Sequence, residues 1–217
     1  MNRALLKSDA REAMNTAIPS PILTTLAFLA ISLAFTFITN IFSLIQTFSG
    51  QSGSEGFIGW LVFSAVSVVF SLLLGCIQFG YYAYSLKVFQ RQDTGIAELF
   101  SHFHLLLKVF WLAFRIGIQT GLWTLLLVVP GIIAALRYSQ AFYVLAENPD
   151  LSAGDCIRES KQLMIGHLWE YIVLNLSFLL WCLLSAVTLG LAFLYVYPYM
   201  QITMAGYYLS LKPADTY

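Results

Sequence analysis

Residues 130–149 read PGIIAALRYSQAFYVLAENP, and the fold turns on this stretch. An apolar run ends at Val129, Pro130-Gly131 interrupts it, and a second apolar run continues to the turn signal Glu147-Asn148-Pro149. Two apolar runs joined by Pro-Gly predict a tight helical hairpin. Such a hairpin is too apolar for water. One charge, Arg137, sits near the middle of the second run. An ionised group is costly in hydrocarbon, so Arg137 marks a functional hypothesis by default.

Composition extends this reading to the whole chain. Of 217 residues, 59% are hydrophobic and only 10% are charged, with a mean hydropathy of +0.77. Soluble domains carry roughly 25% charged residues, so most of this surface must meet lipid. The formal net charge is zero, which leaves nucleic-acid binding without electrostatic support. Cys76, Cys156 and Cys182 follow no metal spacing and read as small packing residues.

The chain divides into an N-terminal amphipathic interfacial helix (1–18), a six-helix transmembrane domain (19–211) and a short cytoplasmic tail (212–217). In 1–18 the apolar positions Leu6, Ala10, Ala13, Met14 and Ala17 recur at helical spacing, with Arg3, Lys7 and Arg11 on another face. That pattern suits a helix lying on the membrane surface. The expected spans are 22–46, 58–82, 106–129, 131–147, 168–189 and 191–211, since about 20 apolar residues cross a bilayer. Two more amphipathic helices are expected on the cytoplasmic surface. One lies over 95–104, with a stripe of Ile96, Leu99, Phe100 and Phe103. The other lies over 151–167, where Ser152 and Asp155 resemble a capping box. The loop 49–56 and the turns at Pro130 and Gly190 carry no base, whereas Arg3, Lys7, Arg11, Lys87, Arg91, Lys108, Arg158, Lys161 and Lys212 fall on the other set of segments. The positive-inside rule puts that second set, and both termini, in the cytoplasm.

Glycine breaks are expected at Gly75, Gly131 and Gly190, each followed seven residues later by a tyrosine: Tyr82, Tyr138 and Tyr197. The spacing suggests an internal repeat of three hairpin-like units. The fold class is therefore all-α: a polytopic membrane protein of six transmembrane helices in three such units, with cytoplasmic amphipathic surface helices.

Longer patterns carry a family resemblance. They are N-R-x-x-L-K-x-x-A-R-x-x-M from Asn2, the stretch P-G-I-I-x-x-x-R-Y-S-x-x-F-Y-V-L-A-E-N-P, then S-x-x-D-C-I-x-E-S-K-x-L-M-x-G-H-x-W from Ser152. The chain resembles the bacterial integral membrane family known as domain of unknown function 975, from about Asn2 to Leu211. The resemblance implies a bacterial cytoplasmic membrane and six helices. It implies no activity and carries no catalytic residues.

The candidate sites follow from charge in apolar surroundings. Arg137 and Arg115 lack an acid at comparable depth, and Gln140 and Gln119 lie one turn from them. These four, with Tyr138, Tyr82 and Tyr197, are expected to form an inward-facing polar pocket for an anionic group such as a lipid phosphate. An alternative assigns Asp155, Arg158, Glu159 and Lys161 to docking of a protein partner by an accessory or assembly subunit. A small-solute permease is a further reading. His102, His104 and His167 have no metal-site spacing, no nucleophile or metal motif appears, and no cofactor is implied. The expected function is a non-enzymatic membrane protein that binds or translocates an anionic lipid or amphiphile. Its expected partners are the bilayer, a membrane protein or a second copy of itself, and no nucleic acid.

Overall fold

The computed structural model describes residues 3–18, 20–48, 54–188 and 190–212. Most of the polar loop, Pro19 and nearly all of the tail lie outside the described residues. Among the described residues every regular element is helical: α1 (Arg3–Thr16), α2 (Pro21–Phe48), α3 (Ser54–Phe89), α4 (Glu98–Ser101), α5 (Leu106–Leu126), α6 (Val128–Tyr138), α7 (Ala141–Glu147), α8 (Ala153–Leu163), α9 (Leu168–Val187) and α10 (Phe193–Ser210). A 3-10 turn, Phe103–Leu105, leads into α5.

Among the described residues five stretches are long and apolar enough to cross a membrane: Pro21–Ile45, Phe57–Phe89, Glu98–Leu126, Val128–Glu147 and Leu168–Val187. The sixth expected span, 191–211, is not among them. That segment holds α10, the most enclosed helix of the molecule, buried at Val196, Pro198, Tyr199 and continuously from Gln201 to Leu209. α1, α2, α3 and α9 all pack against it. A helix wrapped by protein needs no apolar perimeter, which is why its sequence can hold five tyrosines, Gln201 and Thr203.

Burial is polarised along the molecule. The fully buried side chains include Tyr81, Tyr84, Leu99, Leu112, Leu145, Met164, Tyr207 and Tyr208. The exposed large apolar ones gather elsewhere, as at Leu33–Ile45 on α2, Phe57–Val69 on α3 and Leu122–Ile133 on the α5–α6 hairpin. One end is thus packed like a protein core, while the hairpins projecting from it present apolar side chains outward, the pattern expected toward lipid. Ion pairs sit at the packed end: Arg91–Glu12 at 3.1 Å, Lys87–Glu98 at 2.8 Å, and Lys212 with Glu147.

Several local expectations are corrected. α3 runs through Gly75 without a break; no neighbour crowds Gly75, and one interior glycine costs a helix only about 1 kcal/mol. The hairpin turns at Leu127 (φ −161°, ψ 141°), not at Pro130-Gly131. Pro130 lies in the first turn of α6, where its missing N–H is unneeded. Gly131 instead lets α6 close on α5, since a Cβ there would run into Thr124. α1 is not simply laid on a surface: Leu6, Ala10, Ala13 and Met14 are buried against α10 and α3. The helix expected over 95–104 shrinks to the single turn of α4. There the Leu99 carbonyl lies 2.5 Å from where a Gly80 Cβ would be, so the chain is pressed backbone to backbone on α3.

α8 occupies the middle of the stretch expected over 151–167 and ends at Leu163. Ser152 caps it, accepting from the Asp155 N–H at 3.2 Å, and Ala153, Cys156, Ile157 and Ser160 face the protein. It packs on α5, α6 and α7, and this placement builds the candidate site.

Candidate functional site

α6 and α7 are halves of one apolar stretch, interrupted at Ser139-Gln140. A break frees backbone carbonyls of the preceding turn, and in an apolar setting each needs a donor. Ser160 of α8 supplies one: its Oγ donates to the Arg137 carbonyl at 2.7 Å. This bond holds the C-terminal part of α8 against the end of α6. It sets Lys161 over the face of Tyr138, with Nζ 5.1 Å from the ring centroid.

Arg137 and Lys161 thereby line one groove of about 280 Å³, together with Trp123, Pro130, Ile133, Ala134 and Tyr138. No acid lines it. Among the described residues neither cation has a carboxylate within salt-bridge distance. Two cations facing one space without a counter-ion favour an anion there, and an arginine beside a lysine can offer both forked and point-charge donors to phosphate oxygens. Trp123 and Tyr138 add amphipathic rings of the kind found at membrane interfaces.

The arginines therefore do not face inward as expected. Arg137 and Arg115 are both exposed on the outside of the bundle, and they do not share the groove. The Arg115 guanidinium lies over the first turn of α8, where an ideal Cβ on Gly154 would be 2.8 Å from Nη1. Two turns earlier on α5, Lys108 donates to the Pro149 carbonyl at 2.7 Å. Lys108 thus ties α5 to the turn that leads into α8.

The other expected site residues are dispersed. Gln140 is fully buried in the α6–α7 joint; its Nε2 donates to Ser139 Oγ at 2.9 Å, and its Oε1 has no partner. Gln119 lies beside an apolar groove with Leu122, Trp123, Leu125 and Leu126, its own Oε1 unpaired. Tyr138 is buried and borders the groove, whereas Tyr82 and Tyr197 are partly buried at other places in the bundle. Tyr82 stacks on Phe142 at 5.7 Å and meets Tyr143 edge-on at 5.1 Å. Tyr197 donates to Gln78 Oε1 at 3.2 Å and lies 5.2 Å from Tyr81. The three tyrosines of the expected repeat thus do not occupy equivalent places.

Of the residues read as partner-docking, Asp155 and Arg158 pair with each other at 2.9 Å, Glu159 is half-exposed, and Lys161 is turned into the groove. Burial, followed by the charges of Glu159 and Asp155, pushes the Cys156 thiol up to about 11. Cys156 is thus an unreactive packing residue beneath the site.

Sequence reading missed Ser160 and Glu147. Ser160 shows in the sequence only as a small polar residue on an otherwise apolar stripe. Glu147 accepts from the Tyr208 hydroxyl at 2.5 Å and pairs with Lys212, joining the ends of α7 and α10 across a separation no local pattern reveals.

Described residues that are helical in every regular element, with five membrane-length apolar stretches among them and a packed, ion-paired end, define a multi-helix membrane protein. Its C-terminal half, residues 114–215, matches the family model described as "Protein of unknown function (DUF975)". That match takes in Pro130–Pro149 and bears out the family resemblance over this part of the chain. The pattern from Asn2 to Met14 lies outside it. No curated protein and no solved structure matches the chain.

Proposed function

We propose that this protein is a non-enzymatic component of the bacterial cytoplasmic membrane that holds the anionic headgroup of a lipid or similar amphiphile in the groove between α6 and α8. Arg137 and Lys161 are the anion ligands, and Tyr138 and Trp123 flank them. In this reading the packed end and both termini are cytoplasmic, in keeping with the positive-inside rule, and α10 crosses the membrane inside the bundle. The observation that carries the reading is the convergence of two cations, from different helices, on one acid-free groove with aromatic walls.

The test is native mass spectrometry of purified protein with added phosphatidylglycerol, comparing wild type with Arg137→Gln, Lys161→Gln and the double variant. Arg115→Gln, equal in charge change but outside the groove, is the control. Each groove variant should lose about tenfold in occupancy, as one charge-assisted hydrogen bond of about 1.5 kcal/mol implies, with Arg115→Gln unchanged. Equal occupancy in wild type and a folded double variant would overturn the assignment.

A further inference from the structure

The α5–α6 hairpin differs from α2 and α3 in the length of its uncharged arms. Between Arg115 and Arg137 the α5 arm is residues 116–126 and the α6 arm residues 128–136, with Leu127 at the tip. At 1.5 Å per residue these arms reach about 16 and 14 Å. The charge-free runs of α2 and α3 are longer, all 28 residues of α2 and residues 56–86 of α3, whereas Lys7 reaches Ser177 in the middle of α9 and Arg11 lies over Tyr199 of α10. The two long runs each cover more than about 40 Å, beyond a hydrocarbon core of about 30 Å.

Three further observations place the polar boundary at the arginines. Arg115 and Arg137 are exposed on the outside of the bundle rather than shielded by protein. Among the described residues neither has an acidic partner. α8, with Asp155, Arg158, Glu159 and Lys161, meets the hairpin at both of them, near Arg115 through Gly154 and at Arg137 through Ser160. A full crossing by α5 and α6 would place two unpaired arginines and a charged helix well inside the hydrocarbon. Each central arginine costs at least about 2.5 kcal/mol there, and snorkelling moves a charge by no more than the length of its own side chain. Beyond the arginines the hairpin is bare and apolar: Leu125 is 86% exposed, Leu126 71% and Leu127 63%.

We infer that the α5–α6 hairpin does not cross the membrane but enters it from the packed end as a wedge, with the acyl chains of a single leaflet around its arms and Leu127 near the bilayer midplane. An arm of about 15 Å matches half of a hydrocarbon core of about 30 Å. Withdrawing both arms of one hairpin keeps the number of crossings even, so both termini remain on one side. The inference rests on arm length and charge placement, so it stands or falls independently of lipid binding at Arg137.

Single cysteines at Leu127, Leu125 and Thr47 in the full chain, with Cys76, Cys156 and Cys182 replaced by alanine, test this in oriented membrane vesicles. Leu127→Cys should resist a membrane-impermeant maleimide from both sides, because the thiolate does not form in hydrocarbon. A spin label there should show the oxygen accessibility of the bilayer centre. Thr47→Cys, near the far end of α2, should react from the side opposite the termini. Reaction of Leu127→Cys from that far side would overturn the inference, and so would reaction from the near side, which would put the hairpin on the surface. Should Leu127→Cys not fold, Leu125→Cys gives the same readouts.

Discussion

Ser160 shows how one hydroxyl can organise a site. Its bond to the Arg137 carbonyl satisfies a group freed by the helix break and brings Lys161 to the groove. Ser160→Ala should lower stability by about 1 kcal/mol, since a part-buried carbonyl loses its donor; thermal unfolding in a fixed detergent measures this. The same variant should weaken anionic-lipid binding although Ser160 does not line the groove. Cys156 gives a pH prediction. Its thiol is raised from an ordinary 9.0 to about 11, so the folded state holds its proton more tightly than the unfolded chain does. The resulting stability is complete below about pH 9 and is lost as pH rises from there through about 11. Alkylation of folded protein should correspondingly stay slow at Cys156 until strongly alkaline pH, as peptide mass mapping can check; rapid modification at pH 8 would contradict the buried placement.

Among the elements, α1 and α4 depart most from their sequence readings, and for the same reason. Hydrophobic periodicity tells which face of a helix is buried, but not whether lipid or protein covers it. For α1 the cover is α10 and α3, helped by Lys7. Its Nζ donates to Ser177 Oγ at 2.6 Å and lies 4.5 Å from the Phe178 ring; burial, followed by the charge of Arg3, lowers its amine below the ordinary value. Ala10→Glu would put a carboxylate in a contact with no exposed surface. It should release α1, seen as fast tryptic cleavage at Arg11 under conditions where wild type resists. For α4 the decisive residue is Gly80. Gly80→Ala should cost about 1–3 kcal/mol by overpacking, with the loss appearing first as local exposure of α4 to hydrogen exchange.

At the level of the whole molecule, the interior is held by rings and amides rather than by aliphatic packing alone. Tyr143 reaches the Gln201 side chain at 3.4 Å, Tyr197 reaches Gln78, and the Tyr81 and Thr25 hydroxyls share a hydrogen bond at 2.6 Å. These contacts join α2, α3, α7 and α10. Partner loss at one point should therefore be felt across the bundle. Gln201→Leu keeps the volume but strands neighbouring hydroxyls. It should lower the unfolding temperature by more than Asn175→Leu, whose exposed amide bonds only to the Tyr171 carbonyl of its own helix.

The membrane class, the helical content, the capped α8 with its inward stripe and the importance of the stretch from Pro130 to Pro149 were all legible in composition and periodicity. These report how much apolar surface a segment must hide and with what period, and both are local properties of a chain. Other features required the packed structure: the turn at Leu127, the enclosure of α10, the outward placement of Arg115 and Arg137, and the transfer of Lys161 from a solvated helix face to the wall of a groove. Each depends on which distant surface covers a given face. Hydropathy cannot tell lipid from protein there, and a cation gains its partners only when helices far apart in sequence are brought together.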